Sequence, residues 1–151
     1  MVKKVLHPQE IQVWYILPAL RKELTLEMKK LGLDQKTIAK IIGVTEAAVS
    51  QYIKEKRATE VEFDEKTKQE IKKSAQLISQ NGKLLFQEMQ HLLEKALENK
   101  SICKVCHIYN NDLPSDCEIC FKKQYEPKEN LSGQCSCNSS GHSCQKRDAV
   151  L

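Results

Sequence analysis

Apolar residues recur at helical spacing along much of this 151-residue chain, and two glycines interrupt the pattern before its middle. Gly32 and Gly43 are each followed, two positions later, by a polar residue of the kind that caps helices, Asp34 and Thr45. This order predicts a helix ending just before Gly32, a second helix over 35–42 and a third helix starting after Thr45. Two short helices joined by a tight glycine turn are the pattern of a helix-turn-helix.

The apolar side chains of these two helices fall on one face, which is predicted to be buried in a helical bundle. The positions expected to point inward are Ile38, Ala39, Ile41, Ile42, Val44, Val49, Tyr52 and Ile53. The opposite face of the third helix carries small or polar residues at its N-terminal end, the part that a recognition helix offers to base edges. Those outward positions are Glu46, Ala47, Ser50 and Gln51.

Five short matches carry a resemblance to a known family. They are LPALR at 17–21, LDQ at 33–35, IA at 38–39, GVT at 43–45 and AAVSQY at 47–52. Through these matches, residues 16–60 resemble the lambda-repressor-like (XRE-type) helix-turn-helix family, in its prokaryotic subset. The resemblance implies an all-α, lambda-repressor-like helical bundle that binds double-stranded DNA and regulates transcription.

The resemblance also implies which residues contact DNA. In the family the glutamine that opens the second helix holds a phosphate, and this position is Gln35 here. Base contacts come from positions that match Glu46, Ala47 and Gln51. Glu46 departs from the glutamine or serine that is frequent at this position in the family. A carboxylate there can accept a hydrogen bond from a cytosine amine, but it repels phosphate. With neighbouring basic and polar residues added, the expected DNA-binding set is Gln35, Lys36, Thr45, Glu46, Ala47, Ser50, Gln51, Lys54, Lys56 and Arg57.

Basic residues are concentrated in this same part of the chain. Residues 1–60 hold 11 lysines and arginines against 7 acidic residues, whereas the two signs balance after residue 60, and the whole chain carries +4. An excess of positive charge steers a protein toward phosphate. Solvated surface lysines would give a similar imbalance, so the charge supports DNA binding without establishing it.

After residue 60, apolar residues continue in alternating steps of four and three. Two helices are predicted, over 64–80 and 83–99, because Asn81-Gly82 is a turn signal; a single bent helix is the alternative. The apolar seam consists of Ile71, Ala75, Ile78, Leu85, Met89, Leu92 and Ala96. Since helix-turn-helix proteins usually read two half-sites as dimers, the seam is predicted to form a homodimer contact. The alternative is that it packs within one chain.

Two CxxC pairs, Cys103–Cys106 and Cys117–Cys120, are separated by ten residues. Four thiolates in two pairs predict one closed metal site, and these four residues are called the cysteine centre below. The intervening loop contains turn formers, among them Asn110 and Pro114, which would let the chain double back.

Both zinc and an iron–sulfur cluster suit four cysteines. Zinc ribbons usually place glycine after the second cysteine of each pair, but His107 and Phe121 occupy those positions here. The choice between the two metals is therefore left open. Three further cysteines, at 135, 137 and 144, lie in a polar tail over 123–151 whose composition predicts little order.

Four regions follow from these patterns. They are a helix-turn-helix domain over 8–60, a helical extension over 61–100, a four-cysteine metal-binding knuckle over 101–122 and a cysteine-containing tail over 123–151. Within the first region, residues 8–17 fit an extra helix or a short strand. No apolar run reaches the roughly 20 residues that a membrane span needs, and no signal-peptide core is present. A cytoplasmic protein with reduced cysteines is expected.

The features together predict a DNA-binding transcriptional regulator whose metal site either staples the C-terminal region or responds to redox state or metal supply. The alternative is an interaction module whose metal knuckle docks on protein or RNA, with the helical bundle as scaffold. An enzyme is not expected. The sequence contains no nucleotide-binding loop, nucleophile triad or paired carboxylates, and four thiolates leave no open position on a metal.

Overall fold

A computed structural model describes residues 5–121 of the protein. Within that range every regular element is helical and no strand occurs, which confirms the predicted all-α class. In the described part of the chain, no helix is both long enough and apolar enough to cross a membrane. The predicted tail over 123–151, with Cys135, Cys137 and Cys144, lies outside the described residues.

The first three helical segments follow one another without a break. They are α1 (Pro8–Ile11), a π-helical stretch (Gln12–Ile16) and α2 (Leu17–Lys30), called together the N-terminal helix. Residues 8–17 are therefore helical rather than a strand. The π-helical stretch lies close to Pro18, which has no amide hydrogen to give to the preceding turn. The Leu17 amide instead donates to the Gln12 carbonyl, five residues back, and such a wider turn accommodates a proline within a helix.

Two short helices come next, α3 (Gln35–Ile42) and α4 (Glu46–Ile53). The Asp34 carboxylate accepts a hydrogen bond from the Thr37 amide at 3.2 Å. The Thr45 hydroxyl accepts one from the Ala48 amide at 3.1 Å. Each bond satisfies an amide that has no partner inside its own helix. The predicted helix bounds and both predicted caps are thus confirmed.

The turns before these helices depend on two glycines. Gly32 has a φ of 91° and Gly43 a φ of 73°, values that glycine adopts at little cost and other residues do not. The Gly43 amide still bonds to the Ala39 carbonyl at 2.9 Å, so Gly43 caps the end of α3, and the chain changes direction there. Both predicted glycine turns are confirmed.

The cap of α4 can be tested separately from any binding. Replacing Thr45 with alanine is expected to lower the free energy of unfolding by about 1 kcal/mol, because the Ala48 amide loses its hydrogen-bond acceptor. Thr45→Ser keeps a hydroxyl and is expected to unfold close to wild type. Urea denaturation followed by circular dichroism measures both variants. Equal destabilisation by the two substitutions would show that the hydroxyl does not cap the helix.

Three longer segments complete the described fold: α5 (Glu65–Gln80), α6 (Leu85–Glu98) and α7 (Ser101–Tyr109), with a short 3-10 turn (Gly82–Leu84) between the first two. The Asp64 side chain caps α5 by accepting from the Thr67 amide at 3.3 Å. Helix α5 ends at Gln80, and the Asn81 side chain accepts from the Lys83 amide at 3.2 Å. The prediction of two helices rather than one bent helix is confirmed.

The apolar seam of these two helices is buried inside a single chain. Its members Ile71, Ala75, Ile78, Leu92 and Ala96 belong to the core, while Leu85 and Met89 pack against that core half-buried. Helix α5 packs against α2, and α6 packs against α5. The turn at Gly82 lets the second half of the seam fold back on the first. The seam side chains thus have partners within their own chain, as the alternative predicted, and a homodimer stays a prediction that this packing does not test.

Polar pairs join α5 to α6 along the edge of this packing. The Ser74 hydroxyl donates to the Glu88 carboxylate at 2.6 Å, and His91 lies 3.4 Å from the Glu70 carboxylate. Ser74 is buried and its hydroxyl has a charged partner, so the cost of removing it from water is offset. The residue of α6 that lies later in the chain pairs with the earlier residue of α5, as expected for two antiparallel helices.

Candidate nucleic-acid interface and cysteine centre

Helix α4 is held in place by its inner face. Ala48, Val49 and Tyr52 are buried, and the helix packs against both α2 and α3. Burial of one face leaves the opposite face of α4 in contact with solvent. The position of that outer face is therefore determined by α3 and by α2, the longest part of the N-terminal helix.

The predicted DNA-binding residues lie at the surface. Nine of the ten are exposed, and Ser50 is half-buried. Gln35 and Lys36 begin α3, while Glu46 and Ala47 begin α4, so all four lie at helix N-termini where backbone amides and the helix dipole favour anions. The structure thus leaves this predicted set available to a partner. Of the apolar residues predicted to point inward, five are buried and three are half-buried, namely Ile41, Val44 and Ile53.

The end of α4 contains a feature that the sequence does not signal. Glu55 has a φ of 52°, and its amide bonds to the Tyr52 carbonyl while the Lys56 amide bonds to the Gln51 carbonyl, both at 3.0 Å. This pair of bonds is the Schellman ending of a helix, which usually has glycine where Glu55 stands. It turns the chain sharply directly after the candidate base-contacting residues.

The same turn determines the place of Arg57. Its guanidinium lies over the Tyr52 ring, 5.8 Å from the ring centre, within the range of a cation–π interaction. Because Tyr52 is buried in the bundle, this contact holds the arginine near the C-terminal end of α4. Arginine is suited to contacts with phosphate oxygens because its planar guanidinium offers several donors.

The cysteine centre is divided between a helix and a turn. Cys103 and Cys106 lie three residues apart on α7, which places them on one side of that helix. Cys106 is only 8% exposed, Cys103 and Cys117 are half-buried, and Cys120 is exposed. The sequence predicted a knuckle for both pairs, but the first pair lies within a regular helix.

The four sulfurs influence one another electrostatically. Burial raises the pKa of the Cys103 thiol, nearby Cys106 and Cys117 raise it further, and Lys100 lowers it. The pKa of Cys120 is also raised, first by burial and then by the three other cysteines. All four thiols are free. A raised pKa keeps a thiol protonated near neutral pH, so a metal bound by these sulfurs would have to displace protons.

A cavity of about 330 Å³ lies beside this centre. Its walls come from the N-terminal segment, the end of α7 and the turn that follows. The lining residues are Val5, Leu6, His7, Pro8, Cys106, Tyr109, Asn110, Asp112, Leu113, Cys117, Ile119 and Cys120. Three of the four cysteines therefore face one largely apolar space.

The donor set suits a thiophilic metal in its chemistry, because four free thiols are available and three of them share a cavity. Their positions are less close than a metal site requires. Among residues 5–121, no three His, Cys, Asp or Glu side chains form a group that could hold a metal ion. The cysteines would have to move toward one another for all four to bind a single centre.

Helix α7 is attached to the N-terminal helix by aromatic residues. The Tyr15 and Tyr109 hydroxyls lie 2.6 Å apart, and their ring centres are 5.3 Å apart. The hydrogen bond to Tyr109 is the main cause that raises the pKa of Tyr15 to about 12. Tyr15 is thus neutral at physiological pH and keeps its hydroxyl hydrogen for this bond. This contact joins the helix of the first cysteine pair to the helix that supports α4.

No protein-family model, no curated protein and no solved structure matches this chain.

Proposed function

We propose that this protein is a cytoplasmic, sequence-specific DNA-binding transcriptional regulator with a lambda-repressor-like bundle. One observation carries the proposal: α3 and α4 are joined by a three-residue turn with both helices capped, and the outward residues at the start of α4 are exposed. This is the arrangement in which a second helix enters the major groove while the first crosses the phosphate backbone. The proposal includes no catalytic role.

In this proposal the exposed residues divide into two groups by chemistry. Basic and amide side chains around the two helices contact phosphates and set the orientation on the duplex, without reading sequence. They are Gln35, Lys36, Lys54, Lys56 and Arg57. Base edges are read from α4 by Gln51 and Ala47, with Glu46 accepting from a cytosine amine. A glutamine suits adenine, with which its amide forms two hydrogen bonds, and alanine suits the thymine methyl group.

Selection from a pool of random duplexes tests this function. The full-length protein is expected to enrich one defined sequence, and its binding is expected to weaken as salt rises. Enrichment of no sequence, with weak binding to all duplexes alike, would contradict sequence-specific recognition. It would favour the alternative in which the region around the cysteine centre docks on protein or RNA.

We further propose that the cysteine centre binds one metal centre, either zinc or an iron–sulfur cluster. Support comes from the spacing of the four cysteines, their free thiols and the cavity that three of them share. A bound metal would neutralise the thiolates and link α7 to the following turn. The metal then has one of two roles. It is structural if it only holds the C-terminal region together, and it is regulatory if redox state or metal supply changes the occupancy of the site.

Replacing Cys106 with serine is expected to abolish metal binding, because a buried serine hydroxyl is a poor ligand in a thiolate site. The helices before α7 should stay folded, since Cys106 is one of 21 buried residues in the core that the described helices share, and serine differs from cysteine only by its oxygen atom. Cys144→Ser serves as the control and is expected to keep the metal. Elemental analysis and visible absorption of oxygen-free preparations give the readout: colourless zinc protein indicates a staple, and brown protein with iron and sulfide indicates a cluster. A wild-type protein without metal would contradict the proposal.

A further inference from the structure

The side chain of Asn110 connects the end of α7 to the segment before the N-terminal helix. Its Nδ2 atom donates to the Leu6 carbonyl at 2.9 Å, and its Oδ1 atom accepts from the Leu6 amide at 3.3 Å. The same Nδ2 lies 3.5 Å from the Cys106 sulfur. An amide nitrogen has two hydrogens, so one serves Leu6 and the other serves Cys106. The opposite amide orientation would place two donors against each other at the Leu6 amide.

Both partners of Asn110 are themselves held firmly. Leu6 is 2% exposed and belongs to the core. Cys106 is buried, and its carbonyl accepts from the Asn110 backbone amide at 2.9 Å. Asn110 is therefore fixed at the end of α7, and its side chain forms two bonds with a backbone segment 104 residues earlier in the chain.

The N-terminal helix, which begins at Pro8 two residues after Leu6, extends to the proposed DNA-binding surface. The His7 amide bonds to the Glu10 carboxylate at 2.8 Å at the start of the N-terminal helix. That helix continues to Lys30, about 35 Å at the usual rise per residue, and its α2 part packs against both α3 and α4. A displacement of the N-terminal segment would thus act on the element that positions α4.

The strength of the bond to Cys106 depends on the state of its sulfur. A neutral thiol is a weak acceptor, whereas a sulfur with anionic character forms a stronger, charge-assisted hydrogen bond. Hydrogen bonds of this kind orient metal-binding side chains and raise metal affinity. The donor in this case is the side-chain amide of Asn110, which also forms the hydrogen bonds with the Leu6 backbone.

We infer that Asn110 is a positioning residue that links the cysteine centre to the DNA-binding bundle, because one amide holds both the Cys106 sulfur and the Leu6 backbone. The inference rests on the proposed metal site. Metal binding at the cysteine centre strengthens the two hydrogen bonds between the Asn110 side chain and the Leu6 backbone. By reciprocity, those two bonds raise the metal affinity of the centre.

Cobalt(II) and zinc serve as probes of this link in the full-length protein. Asn110→Ala removes all three side-chain bonds and is expected to weaken cobalt binding about 10- to 100-fold, as measured from the thiolate absorption bands. The matched control is Asn111→Ala, since Asn111 is the exposed neighbour in the same loop; this variant is expected to bind cobalt as wild type does. Unchanged cobalt affinity in Asn110→Ala would overturn the inference.

A second measurement follows hydrogen exchange in the wild-type protein, with Asn110→Ala as a comparison. Zinc is expected to slow hydrogen exchange at the Leu6 amide, whose acceptor is Asn110, and to leave that amide unaffected in Asn110→Ala. If zinc binds the wild type and the Leu6 amide does not respond, the inference fails while the metal proposal stands. If neither zinc nor cobalt binds the wild type, the metal proposal fails and the inference fails with it.

Discussion

Replacing Leu92 with alanine is expected to lower the free energy of unfolding by about 2–5 kcal/mol. Leu92 is 0% exposed and lies in the core that α5 and α6 share with the N-terminal helix. The substitution removes apolar contacts and leaves a cavity that surrounding helices fill only in part. Chemical denaturation followed by circular dichroism measures the loss, and sedimentation of the same samples reports the oligomeric state.

The matched control for this prediction is Phe86→Ala on the same helix. Phe86 is 85% exposed, so its removal is expected to change stability by less than about 0.5 kcal/mol. A Leu92→Ala protein that unfolds like wild type but sediments at a lower mass would contradict the account. It would mean that the seam packs between two copies rather than within one chain.

The second large effect is expected at the outer face of α4. Gln51→Ala should weaken binding to the selected duplex by about 1–3 kcal/mol, which is the usual contribution of a two-bond contact with a base. Ala47→Asp should weaken it as well, because a carboxylate would be placed in a groove lined with phosphates. Both positions are exposed, so the fold should be unaffected, as circular dichroism can verify.

Gln87→Ala is the control for Gln51→Ala. It makes the same substitution at an exposed position of a different helix, α6, and is expected to leave DNA binding unchanged. Equal affinity of the Gln51→Ala, Ala47→Asp and wild-type proteins for the selected duplex would show that this face of α4 does not read bases.

Local signals in the sequence predicted local structure well. Asp34 and Thr45 cap the helices that were expected, and Gly43 has the left-handed backbone that its position required. Capping and glycine turns depend on a few neighbouring residues, so their physical causes are contained in a short stretch of chain. The start of α4, and with it the outward face of the candidate site, follows from those residues.

Features that depend on distant residues were not predictable in the same way. The spacing of Ile71 and Leu92 shows that a helix face is buried, but it does not show whether another copy or the same chain covers it. Asn110 was recognised as a turn former, yet its bonds to Leu6 join positions 104 residues apart. Only the packing of α7 on the N-terminal helix brings these two residues together.

The left-handed Glu55 illustrates a third case. A helix ending of this kind is normally signalled by glycine, and a glutamate in its place gives no such signal. The cost of the left-handed backbone is offset by two backbone hydrogen bonds, to the Tyr52 and Gln51 carbonyls. The place of Arg57 beside α4 could therefore not be derived from the sequence pattern.

The central claim, sequence-specific DNA binding through α4, is tested most directly by titrating the selected duplex and a scrambled duplex of equal length at several salt concentrations. Four cationic phosphate contacts per chain predict that affinity for the selected duplex falls with a slope of about −4 on logarithmic axes. The account also predicts that the selected duplex binds at least about 10³-fold more tightly than the scrambled one. Equal affinity for the two duplexes at every salt concentration would contradict it.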